Sequence, residues 1–269
     1  MLRSTMTTRY GRRQFVGHAA LLGLSAAAAS ALRTRNLWAA SIDERLVAKP
    51  PPGFSPFTAP GKVVKVTKGN DFPSLMQPNQ LWPKPEVARQ MLERLLTELT
   101  GAPDLVGAMK KFVHKDDIVA IKINGIAGQK GATMAVNAEL VAPVVDAVIG
   151  AGVAPEHVTV FEQYPSYLSG TRVGNKGHEL PSGVKVGVHR NVDATMPETA
   201  IYASVKTRFV RYVTEATAVI DMTMMKDHSI CGFTGALKNM THGQIVNPQD
   251  HHAWNCNPQI ALLYNFPVL

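Results

Sequence analysis

Two short apolar runs separated by one helical repeat constrain this 269-residue chain more than any other feature. Residues 118–123 and 157–161 are β-branched and nearly continuous in their hydrophobicity, as strands buried on both faces are. Between them, residues 137–150 carry Leu140, Val141, Val144, Val145 and Val148 at helical spacing, and Gly150 and Gly152 end the pattern. A strand–helix–strand unit of this kind makes a parallel pair with its crossover packed on a sheet face. The predicted fold is therefore α/β: a single three-layer domain with a mainly parallel sheet. Further strands are predicted at 62–67, 184–188 and 218–224, and helices at 83–99 and 105–113. The Pro-rich stretch 41–60 reads as an extended linker, which puts the domain at 61–269.

In open parallel sheets, ligands bind beyond the carboxyl ends of the strands. Here the strand at 118–123 delivers Lys122 and Asn124, that at 157–161 delivers Glu162 and Tyr164, and that at 218–224 delivers Lys226, Asp227 and His228. The glycine-rich stretch that follows is the most informative. Gly232 and Gly235 flank Phe233 and Thr234, and Lys238 and Asn239 lie on a helix that starts just after. A turn that bares N–H groups at a helix start favours an anion, and Lys238 can reach back to it. Lys226 and Lys238 would hold the anion, with Lys122, Asn124, Thr234 and Asn239 beside it. His228 would act as a general base or a metal ligand. The spacing is not that of a P-loop. A second cluster, His242, Asp250, His251, His252 and Cys256, offers imidazole, carboxylate and thiolate to a transition metal, together with His228. Consecutive side chains diverge, so only one of His251 and His252 is expected to join. These residues suit either an enzyme doing metal-assisted or redox chemistry on a small anionic substrate, or a non-catalytic anion- or metal-binding assembly protein.

The pattern from Lys226 and His228 through Gly232, Thr234 and Gly235 to Lys238 and Asn239 resembles the signature of a bacterial and archaeal family, domain of unknown function 362. The strand ending at Asn124 and the segment from Gly152 to Glu162 extend the resemblance over residues 62–269. Many members carry a ferredoxin-like cluster domain. Members usually continue past the position of Leu269, so the resemblance implies a sheet truncated at its C-terminus, with the apolar residues 265–269 starting another strand. The stretch from His228 to Lys238 also resembles a segment of the nickel-pincer lactate racemases. That resemblance implies proton exchange by His228 and covalent attachment of a cofactor at Lys238.

The N-terminus predicts a destination. Arg12 and Arg13 stand just before Phe15, no acidic residue occurs in the first 40 positions, and a weakly apolar stretch follows to Leu32. This is the order of a twin-arginine export signal, so residues 1–40 are expected to engage the twin-arginine translocation machinery. The destination would be periplasmic or otherwise extracytoplasmic. The stretch is too short and too weakly apolar for a stable span, which needs roughly 20 strongly apolar residues, so a membrane anchor is expected only from an uncleaved signal. The net charge of +8 is mostly the signal's: its six arginines leave 22 basic and 20 acidic residues beyond position 40, or +2. No basic tract remains to bind nucleic acid. Cys231 and Cys256 allow at most one disulfide, and two thiols cannot supply the four ligands of an iron–sulfur cluster. Replacing Arg12 and Arg13 together by lysine should hold the full-length chain in the cytoplasm. Fractionation of the native host reads this directly, and normal export of the variant would exclude the twin-arginine route.

Overall fold

A computed structural model describes residues 47–69, 71–126, 133–194, 199–202 and 205–269, all within one compact unit, Arg45–Leu269. The predicted export signal and residues 41–46 lie outside the described residues. In chain order the helices are α1 (Phe72–Leu75), α2 (Pro85–Thr100), α3 (Leu105–Met109), α4 (Ala138–Gly150), α5 (Pro165–Thr171), α6 (Arg211–Thr214), α7 (Ala236–Thr241) and α8 (Gln259–Tyr264). The strands are β1 (Val119–Ile123), β2 (Val158–Glu162), β3 (Lys185–Val188), β4 (Thr199–Tyr202), β5 (Val205–Thr207), β6 (Ala218–Met222), β7 (Lys226–His228) and β8 (Gly232–Thr234).

The central sheet has the order β3-β2-β1-β6, and its pairs are parallel. Alternation along β1 supplies both faces. Val119, Ile121 and Ile123 pack under α3 and α4 with Val158 and Val160 of β2. Ala120 points the other way, into a second cluster with Phe161, Phe209, Val213, Ile245 and Leu263. Helical cover on both faces gives the three-layer α/β domain that the strand–helix–strand pattern requires. Local signals set the helix ends: Pro85 opens α2, and Gly101, at φ 71°, closes it in the left-handed region. The Asp104 side chain caps α3 by accepting from the Gly107 N–H at 2.6 Å. No helix among the described residues is long and apolar enough to cross a membrane.

Two expectations are corrected. Residues 62–67 form no strand. Val63 is 90% exposed, and Lys62 instead bonds the Glu98 and Leu99 carbonyls at the end of α2. An alternating pattern makes a strand only where a neighbouring edge accepts it. Residues 265–269 form a turn after α8 rather than a strand, with Val268 buried. The described part of the Pro-rich stretch is irregular and is strapped to the domain. The Phe57 N–H donates to the Lys111 carbonyl at 2.7 Å, and its ring meets Phe112 edge-on.

One polar clamp ties the N-terminal elements to the sheet layer. Arg172 grips the buried Glu139 with both guanidinium nitrogens, at 2.9 and 2.5 Å, and stacks 3.8 Å over the Trp82 ring. Gln77 adds a third bond to Glu139 at 2.5 Å. Burial pushes the Glu139 carboxyl up, but the bonds from Arg172, its own backbone and Gln77 outweigh it and hold the pKa below its ordinary value of 4.5. The clamp's contribution is therefore full above that value and is lost as pH falls through the lower, folded one. Arg172→Met should cost about 3 kcal/mol at pH 7 by leaving the carboxylate unpaired. The gap from wild type should narrow in acid, and urea unfolding at pH 7 and pH 4 measures both effects.

Candidate functional site

The chain leaves β1 outward through β2 to β3, then returns to the opposite side of β1 at β6. Such a reversal opens a crevice at the carboxyl ends of the strands. Here the crevice is a cavity of about 380 Å³ walled by the ends of β1 and β2, the β7–β8 hairpin, α7 and the 3₁₀ segment Pro248–Cys256.

Its floor is a buried polar network centred on Lys122, which is 1% exposed. The Lys122 ammonium donates to Glu162 Oε1 at 2.7 Å, to the Ile123 carbonyl at 2.5 Å and to Asn239 Oδ1 at 3.3 Å. Asn239 also accepts from Asn124 Nδ2 at 3.1 Å and donates to Asp221 Oδ1. Lys122 and Asp221 are register partners on β1 and β6, so both reach the same face. Asp221 Oδ2 is buried with no hydrogen-bond partner among the described residues. Burial raises the Asp221 pKa to about 6, against the lowering effects of Asn239 and Lys122. Gly243 leaves the space Lys122 fills: a Cβ there would stand 2.8 Å from Lys122 Cε.

Two further lysines enter from above. Among the described residues Lys226 bonds only neutral acceptors, Asn124 Oδ1 at 2.7 Å and the Ile126 carbonyl at 2.5 Å. Lys238 has no hydrogen bond or carboxylate partner among the described residues, and burial, then the charge of Lys226, lowers its pKa to about 8. Thr234 lines the same cavity, and its Oγ1 is buried and without a hydrogen-bond partner among the described residues. His228 accepts the Ile230 and Cys231 N–H groups at its Nδ1, at 3.1 and 3.2 Å, so the neutral ring carries its proton on Nε2. That geometry leaves Nε2–H of the neutral ring as a donor.

The C-terminal wall holds imidazoles of another kind. His242 donates from Nε2 to the His251 carbonyl at 2.9 Å, and His252 donates from Nδ1 to the Pro248 carbonyl at 2.7 Å. Each therefore keeps a lone pair on its other nitrogen, and that of His242 Nδ1 faces the Thr241 hydroxyl at 3.2 Å. Burial lowers the pKa of all three cavity histidines, His242 to about 3, and the Lys238 charge adds to this. Cys231 and Cys256 form a disulfide with Cα atoms 5.8 Å apart. The ligand atoms of His228, Cys231 and His252 lie within 4.8 Å of one another, and so do those of His242, His252 and Cys256. This is His/Cys geometry able to hold a metal ion.

The family model described as Domain of unknown function (DUF362) matches residues 119–263, more than half of the chain and all the elements that wall the cavity. The chain belongs to this family. Comparison with curated proteins and with solved structures finds no match.

In this DUF362 chain, Lys122, Asn124, Glu162, Tyr164, Lys226, Asp227, His228, Thr234, Lys238, Asn239, His242 and His252 all line the one cavity. His251 does not: it is fully buried and gives the cavity only its carbonyl, through His242. The glycine stretch also departs from expectation. Gly232–Thr234 pairs antiparallel with Lys226–His228, and neither Gly232 nor Gly235 lines the cavity. The α7 helix has only six residues, so the anion site falls to side chains and not to a helix terminus. Sequence reasoning missed Gln163, Tyr167, Gln249 and Asp221, whose places depend on long-range packing. Lys122→Met should cost about 3–5 kcal/mol in urea unfolding by stranding Glu162. Adding Glu162→Gln should recover most of that loss, and additive losses would show that the two do not act as a pair.

Proposed function

We propose that the cavity binds a small oxyanion or carboxylate between Lys226 and Lys238, in an exported protein that acts on it by acid–base chemistry. One observation carries this reading: three ammonium groups share the cavity, and among the described residues only Lys122 is paired with a carboxylate. Asp221 stands behind Asn239 and Asp227 lies exposed at the rim, and among the described residues neither forms an ion pair with Lys226 or Lys238. A small anion between those two lysines supplies the close negative partner that each lacks. His228 Nε2–H and the unpartnered Thr234 hydroxyl offer it neutral hydrogen bonds, and Lys238 can exchange a proton with it near neutral pH. A non-catalytic carrier of the same anion would use the same contacts and have no turnover to lose when His228 or Lys238 is replaced.

Calorimetry with phosphate, sulfate and small dicarboxylates should find one site per chain. Lys238→Met should weaken the preferred anion tenfold or more, as the loss of a charge-assisted hydrogen bond of about 1.5–3 kcal/mol does. Binding favours the ammonium form, so affinity should fall as pH rises through about 8. If no anion in the panel binds, or if Lys226→Met and Lys238→Met both bind like wild type, the reading is lost.

A further inference from the structure

The C-terminal wall of the cavity holds an arrangement that anion binding does not use. His242 and His252 each donate one ring N–H to a backbone carbonyl, as metal-ligating histidines characteristically do. The bond to the carbonyl fixes the tautomer and leaves an acceptor nitrogen on the other side of each ring: Nε2 of His252, and Nδ1 of His242, which meets the Thr241 hydroxyl at 3.2 Å, a hydroxyl that has the Leu237 carbonyl as a second partner at 2.8 Å. Those two histidines and Cys256 present ligand atoms within 4.8 Å of one another, and Cys231 comes equally near His252. His228 differs, because two backbone donors occupy its Nδ1. Cys256 is also held at φ 64°, in the left-handed region that non-glycine residues seldom adopt.

In the disulfide the two sulfurs carry no thiolate and are poor ligands. We propose that the Cys231–Cys256 bond is the oxidised, closed form of a Cys2His2 site, and that its reduction creates a site for one zinc-class ion held by Cys231, His242, His252 and Cys256. A dithiol reductant supplies two electrons and two protons, breaking the S–S bond and becoming a disulfide itself. Metal binding then releases the two thiol protons as the thiolates coordinate. In a tetrahedral site with Zn–S bonds of about 2.3 Å the sulfurs sit roughly 3.8 Å apart. Side-chain rotation can open that separation with the Cα atoms 5.8 Å apart. The set of two thiolates and two imidazoles suits zinc over hard, oxygen-seeking ions. Disulfide and metal are therefore alternative occupants of one place, and the proposal does not depend on the anion reading.

Cobalt titration of the full chain, before and after treatment with excess dithiol, tests this. The reduced protein should take up one cobalt ion with a thiolate-to-cobalt charge-transfer band, and zinc should displace it. The oxidised protein should show no such band. His242→Gln and His252→Gln should each weaken binding by tenfold or more, and the double variant Cys231→Ser, Cys256→Ser should lose the band under all conditions. Should the serine variant not fold, comparison of oxidised and reduced wild type still decides. A reduced wild type that shows no thiolate band, or that unfolds before it binds, overturns the proposal. So does cobalt affinity unchanged in both histidine variants.

Discussion

The ion pair between Lys122 and Glu162 is the constraint around which the site is arranged. Two charges removed from water must satisfy each other and their remaining valences, or the fold loses several kcal/mol. Lys122 does so by donating to Glu162, to its neighbour's carbonyl and to Asn239, and Glu162 also accepts the Gln163 N–H at 2.6 Å. Each partner comes from a different element: β1, β2 and α7. Asn239 extends the reach to β6 through Asp221. The network thus fixes how the carboxyl ends of three strands meet one helix, and that meeting defines the floor of the cavity. A hydrophobic floor could pack these elements, but it would not fix their mutual orientation at the level of single hydrogen bonds. Gly243 belongs to the same constraint, since any side chain there would enter the volume of the lysine.

The parts of the fold that could be read from sequence are those whose signal is local. The β1 and β2 strands are buried on both faces, so continuous apolar runs mark them, and α2 and α4 declare themselves through periodicity and their end signals. Residues 62–67 show the limit of that reasoning. They have strand-like alternation, but pairing requires an available sheet edge, which no local pattern reports. The β7–β8 hairpin failed for the converse reason: its strands are three residues each, too short for any period, and its glycines suggested an anion-binding turn at a helix start. The antiparallel pairing of Lys226 with Thr234 depends on where β6 ends, and only the assembled sheet fixes that.

The site was more legible than its chemistry. Strand termini named Lys122, Asn124, Glu162 and Lys226, because parallel topology forces those ends to one side. What sequence could not supply was the partner of each group. The role of His228 turns on two backbone N–H groups of its own hairpin, and the separation of His252 from His251 follows from how the segment Pro248–Cys256 packs on α8 and turns the His251 carbonyl to His242. Asp221 was invisible, since an acidic residue within a strand carries no mark of the buried neighbour that makes its position tenable.

The cavity joins two electrostatic regimes, and the disulfide lies where they meet. Burial, with the charge of Lys238 on α7 added to it, keeps the nearby imidazoles neutral, and a neutral imidazole is the form that can hand a lone pair to a metal. The bond between Cys231 and Cys256 ties the hairpin bearing Lys226 and His228 to the segment bearing His252, across 25 residues of chain. On chain-entropy grounds a cross-link of that span restricts the unfolded state by about 3.5 kcal/mol. Reduction alone would release that restriction and loosen the wall of the anion site. An ion held by the same two cysteines and by His242 and His252 would span the same segments and restore the restraint. Reduction and metal binding are thus coupled through stability: the reduced chain gains from an ion what it loses with the sulfur bond, and the lysine wall stays in place in either state.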